Sequence, residues 1–150
     1  LILSFGLLGV AGLLVSGVSN AAGSESLSKA NHLLADMADR IRANPTSALS
    51  ATSEYLVNEG RAANRPDLWD DASPAILSSP ALNDLSAWMQ AIPAQLPMGR
   101  GRITTTPASR QVDVWIAWSS CLGTLSTANL QACQDNTPDA FRVLHLELRI

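Results

Sequence analysis

The first eighteen residues, LILSFGLLGVAGLLVSGV, are apolar on every face, and no charged residue appears before Glu25. A helix that is hydrophobic all round must be surrounded, by protein or by lipid. Leu1–Val18 would rise ~27 Å as a helix, just short of a bilayer core about 30 Å thick. From Leu27 the pattern changes. Leu27, Ala30, Leu34, Met37 and Ile41 follow one another in steps of three and four, an amphipathic seam. Glu25, Lys29, Asp36, Asp39, Arg40 and Arg42 lie between them. Pro45 stops the helix, and Asn44 before it is pushed out of the α region. The pattern therefore predicts one helix over Leu1–Ala43, about 65 Å long. Residues 1–24 form an apolar anchoring half. The other half, 25–44, is amphipathic, with Leu27, Leu34, Met37 and Ile41 as the face packed on a globular head.

Downstream, residues 45–99 are expected to hold loops and a second helix. Pro45–Pro80 keeps no sustained period; Leu49–Val57 predicts a short helical turn, and Arg65-Pro66-Asp67 and Ser73-Pro74 punctuate loops. Ser79 followed by Pro80 is an N-cap with proline in the first turn. Leu82, Leu85, Trp88, Met89 and Ile92 then recur at helical spacing, and the helix ends near Pro93 to Gly99. Beyond Gly101 the period becomes two. Arg102–Thr106, Gln111–Trp118 and Arg142–Ile150 read as strands, the last two alternating apolar and polar positions as half-buried strands do. Residues 100–150 thus predict a small antiparallel sheet. The fold class is α+β, a long N-terminal helix on that sheet with one additional short helix.

Composition sharpens this reading at three points. The chain is 47% apolar, and the excess is concentrated in residues 1–24. Glycines at 6, 9, 12 and 17 would each cost about 1 kcal/mol against alanine in a water-exposed helix. Against lipid or neighbouring helices they permit close backbone approach, so Leu1, Gly6, Leu8, Gly9, Gly12, Leu13 and Ser16 are the expected membrane and helix-packing positions. Net charge is −3, with one lysine, which argues against a nucleic-acid footprint. The two cysteines, Cys121 and Cys133, lack the paired spacing of a zinc site. They read as one disulfide in an oxidising compartment, or as two separate buried thiols. A cleavable signal ending near Ser19-Asn20-Ala21 is the competitor for the apolar segment. Its core would be longer than the usual 7–15 residues, and the helical pattern runs on past it.

Candidate chemistry is sparse. Asp67, Asp70 and Asp71 surround Trp69 but lack the spacing of a calcium loop, so they read as a solvated loop. No nucleophile elbow, phosphate loop or zinc-hydrolase signature occurs. Ser119 and Ser120 have no nearby His with an acidic partner, and His32 and His145 read as surface or rim residues. The expectation is a protein that is not an enzyme and holds no cofactor and no metal.

The apolar LILSFGLLGVAGLL run, the stretch Leu33-Leu34-Ala35-Asp36-Met37-Ala38-Asp39-Arg40-Ile41-Arg42-Ala43-Asn44-Pro45, the Trp-bearing helix, the LPMGRG turn, the alternating strands and the late cysteine pair together resemble the PilV family of minor pilins, the type IV pilus modification proteins. The resemblance is closest over residues 1–45, with 82–118 and 139–150 following. It implies a type IV pilin fold with a disulfide-bounded loop near the C-terminus. It also implies a subunit held in the bacterial inner membrane by a single helix, with its head in the periplasm. From there such a subunit joins other minor pilins and the major pilin through the apolar helix, primes pilus assembly, and sits at the fibre tip, where it can carry an adhesin for attachment or twitching motility. The family's leader, cleavage site and early acidic residue are not in this chain, which is expected to begin about ten residues inside the mature protein. A minor pseudopilin of a type II secretion system shares the plan, and a periplasmic binding domain on a signal or anchor helix is the third reading.

Overall fold

A computed structural model describes residues 2–70, 79–120 and 138–150, with side chains from residue 23 onward and residue 139 excepted. Helix α1 runs unbroken over Ile2–Ala43, as the merged apolar and amphipathic patterns require. It ends where Asn44 leaves helical geometry ahead of Pro45. A single further turn, α2, occupies Pro45–Ala48. The helical turn expected within Leu49–Val57 is absent there. Pro45 has no N–H to lose at a helix start, whereas Val57 is drawn into an antiparallel bridge with Ile103.

Helix α3, Pro80–Gln95, begins as its sequence predicts: the Ser79 hydroxyl accepts the Leu82 N–H at 3.2 Å, and Pro80 opens the first turn. The Ser79 hydroxyl also donates to Glu54 Oε2 at 2.7 Å, so the cap is tied to the preceding loop. Strands β1 (Arg100–Thr106), β2 (Gln111–Ser119) and β3 (Phe141–Arg149) form one antiparallel sheet in the order β1-β2-β3. A 3-10 turn at Pro107–Ser109 and a left-handed Arg110 join the first two strands. The free side of β1 is partly covered by bridges from Val57 and Asp70.

Helices α1 and α3 lie on one face of the sheet. The core is built from Ala30, Leu33, Leu34, Met37, Ala38 and Ile41 of α1, from Leu85, Trp88, Met89 and Ile92 of α3, and from the inward residues Ile103, Val112, Val114, Ile116, Trp118 and Leu148. Leu82, counted with the α3 stripe on periodicity, is only half-buried; Ala81 is buried instead. Two polar ties fix α3 on α1. Trp88 Nε1 donates to the Leu33 carbonyl at 2.9 Å, and Arg40 donates to Asp36 at 3.0 Å and to Asp84 at 2.9 Å. Tyr55 adds a bond from its hydroxyl to Asp84 at 3.3 Å.

Two glycines let β1 close on α3. A Cβ at Gly99 would stand 2.7 Å from Ile92 Cγ2 and 2.8 Å from the Ile92 carbonyl oxygen, and one at Gly101 would stand 2.7 Å from Trp88 Cζ3. Gly99 and Gly101 of the LPMGRG turn thus stand where an added side chain would meet α3.

Candidate functional site

Among the described residues two surfaces are left once the core is assigned: the outward side of α1, and the sheet face turned away from the helices. On α1, Ala30 is the first buried residue among the described side chains. Leu34, Met37 and Ile41 pack into the head as their spacing predicts, at 4%, 0% and 0% exposure. Leu27 does not: it is 43% exposed. It lies nearly a turn before Ala30, the first buried residue among the described side chains. Leu33 takes part instead, because α1 is flanked by both α3 and the sheet and buries a face wider than a heptad seam.

The outward side of α1 carries ion pairs between Lys29 and Glu25 at 2.6 Å and between Arg42 and Asp39 at 3.1 Å. Exposed pairs of this kind contribute little to stability. The hydrogen bond from Lys29, and then its charge, hold the Glu25 carboxyl below its ordinary range. Gly6, Leu8, Gly9, Gly12, Leu13 and Ser16 lie on the helical backbone of α1, and their side chains fall outside the described residues, as does Leu1. Among the described residues no helix is long and apolar enough to cross a membrane.

The outer sheet face holds a row of planar groups set by register. Arg102 pairs with Trp115, and Trp115 with His145. The Arg102 guanidinium carbon lies 4.1 Å from the Trp115 ring centroid. On the other side, the His145 ring stacks on Trp115 with centroids 4.6 Å apart and planes 10° from parallel. His145 Nε2 is 2.9 Å from Asp113 Oδ1. Two residues before Arg102, Arg100 lies 5.2 Å over the Phe141 ring and donates to the carbonyls of Pro66 and Asp67. Trp69, Ala117, Ala140 and Phe141 make a second small apolar cluster here.

Arg102 is only 8% exposed. Among the described residues its Nε and Nη1, and Nε of Arg100, are buried without a hydrogen-bond partner. Burial pushes the Arg102 guanidinium below its ordinary value, with the Asp113 carboxylate partly opposing. Arginines laid on aromatic rings with buried N–H groups unsatisfied have the donor chemistry that oxyanions take. Sequence alternation places Trp115 and His145 each on the polar side of its strand, but the pairing that stacks them is a property of register.

The other candidates separate. His32 is exposed on α1. Asp67 is engaged by Arg65 at 2.9 Å, Asp70 offers its backbone carbonyl to Gly101, and Asp71 lies outside the described residues. Among the described residues no group of three His, Cys, Asp or Glu is placed to hold a metal ion. Ser120 donates its hydroxyl to the Ala140 carbonyl. Cys121, Cys133 and the loop between them fall outside the described residues, and so does Ser73-Pro74. No family model matches the chain, and no curated protein or solved structure matches it.

Proposed function

We propose that the chain is a minor pilin subunit of a type IV pilus, of the PilV kind, which contributes to priming assembly and to the tip complex. The observation that carries this reading is the single helix α1, continuous over Ile2–Ala43, whose buried contacts with the head fall, among the described side chains, between Ala30 and Ile41. A cleaved signal has no reason to share an unbroken helix with the domain it precedes. An anchor that serves first in lipid and then among other helices does. The LLADMADRIRANP stretch and the α1-on-sheet architecture support the same assignment. On this reading the apolar half exchanges lipid for the apolar helices of other minor pilins and the major pilin, and the head stays in the periplasm until assembly and then reaches the fibre tip.

The test is a charge placed in the anchor. Gly9→Asp or Leu13→Asp costs about 2.5–3.5 kcal/mol at a helix centre on insertion scales and is expected to abolish piliation in a strain relying on the variant. Normal pili would overturn the reading. Mass spectrometry of the mature protein provides a second check: a methylated N-terminus upstream of Leu1 supports it, and cleavage near Ala21 contradicts it. Loss of protein secretion with pili intact would instead point to the pseudopilin.

A further inference from the structure

We infer that the outer sheet face binds an oxyanion, the carboxylate or phosphate group of a ligand, between Arg100 and Arg102. These two side chains sit at i and i+2 of β1 and so project from the same face. Each is laid on an aromatic ring, Arg100 on Phe141 and Arg102 on Trp115. The ring contacts hold both guanidinium groups against the sheet face. Among the described residues Arg102 has no acceptor for its buried Nε and Nη1, and Arg100, whose Nη1 donates to the Pro66 and Asp67 carbonyls, has none for its buried Nε. A buried cation without a partner is costly, and unsatisfied buried donors in a native fold call for a specific occupant. The acid whose field reaches Arg102 is Asp113, but that carboxylate is already engaged by His145 at 2.9 Å and by Gln111 at 3.0 Å. The face therefore has its own acid committed elsewhere and two arginines with buried N–H groups left unsatisfied among the described residues. Oxyanions are the ligands for which arginine forms short, charge-assisted bonds.

The site is independent of the anchor helix and of the fibre reading. It is tested on the full chain in detergent micelles at constant ionic strength, against chloride as control. Inorganic phosphate and N-acetyl-aspartate amide are titrated separately, the first standing for a free ion and the second for an acidic side chain of a protein partner. A saturable rise in the unfolding midpoint is expected, about 5–10 °C at a hundredfold excess over Kd, and the arm that gives it identifies the source. Arg102→Met should lose the rise while matching or exceeding the wild-type midpoint in chloride, since it removes an unpaired buried charge. Should that variant fail to fold, the 15N-labelled Nε–H resonances of Arg100 and Arg102 in the wild type report directly and should move together with the ligand. No saturable rise with either probe, an equal rise in Arg102→Met, or arginine resonances unmoved at saturation would each overturn the proposal.

Discussion

Single atoms decide how β1 and α3 meet. At Gly99 the added methyl of an alanine has no room, because the opposing Ile92 carbonyl is backbone and cannot rotate away. Overpacking of this kind typically costs about 1–3 kcal/mol, so Gly99→Ala should lower the denaturant midpoint by that amount with an unchanged m-value. Tyr55 carries a pH signature. Burial, and then the Asp84 carboxylate, raise its phenol above the ordinary value of 10.0. A group whose folded-state pKa is raised lends stability that is fully present below its unfolded pKa and is lost as pH rises through the folded one. Stability should therefore fall as pH climbs above about 10, and Tyr55→Phe should flatten that fall; equal slopes in equilibrium unfolding would contradict it. Asp67 has the opposite sign. The hydrogen bond from Arg65 leads the causes that hold its carboxyl below the ordinary range, so its contribution is present above the carboxylate range and disappears under acid. Asp67→Asn should be less stable than wild type at neutral pH, and the two should converge as pH drops below that range.

Among the elements, α1 shows how far periodicity reaches. Its extent was legible because helix termination is local chemistry: Pro45 and the restricted residue before it suffice. Its buried face was legible in Leu34, Met37 and Ile41 but not at Leu27 or Leu33. Spacing gives a direction on the helix and says nothing of where the neighbouring layer stops. The consequence is measurable. Leu34→Ala should cost about 2–5 kcal/mol as a buried truncation, whereas Leu27→Ala should stay within about 0.5 kcal/mol as an exposed one. Equal costs by chemical denaturation would mean that Leu27 is covered after all. The strands tell a similar story. Alternation located β2 and β3, and their inward residues follow it. The row of Arg102, Trp115 and His145 needed the cross-strand register, which pairs Arg102 with Trp115 and Trp115 with His145 and which no local pattern encodes. The α2 turn was misplaced for a related reason, since Val57 is claimed by a partner far along the chain.

For the molecule as a whole, the two surfaces divide cleanly. One face of the sheet is spent on α1 and α3, and the other carries charge and stacked rings. If α1 serves as the fibre contact, variants of the outer sheet face should leave membrane insertion and fibre incorporation intact. Arg102→Met is expected to give normal amounts of fibre-associated protein, read by shearing pili from cells and immunoblotting. Loss of incorporation would show that the face takes part in assembly itself. Among the described residues, the buried face of α1 meets both α3 and the sheet in one core, so helix and head are joined through α3 as well as through the sheet.

The join between α1 and the head has a mechanical meaning. Its apolar contacts, Ala30 to Ile41, run along the helix axis, with Trp88 and Arg40 stitched across them. A pull along that axis loads the whole strip in shear and tries to break every contact together, while a sideways pull would peel them one at a time. If the helix is pulled lengthwise, the head is thus gripped in the direction in which a packed strip is strongest.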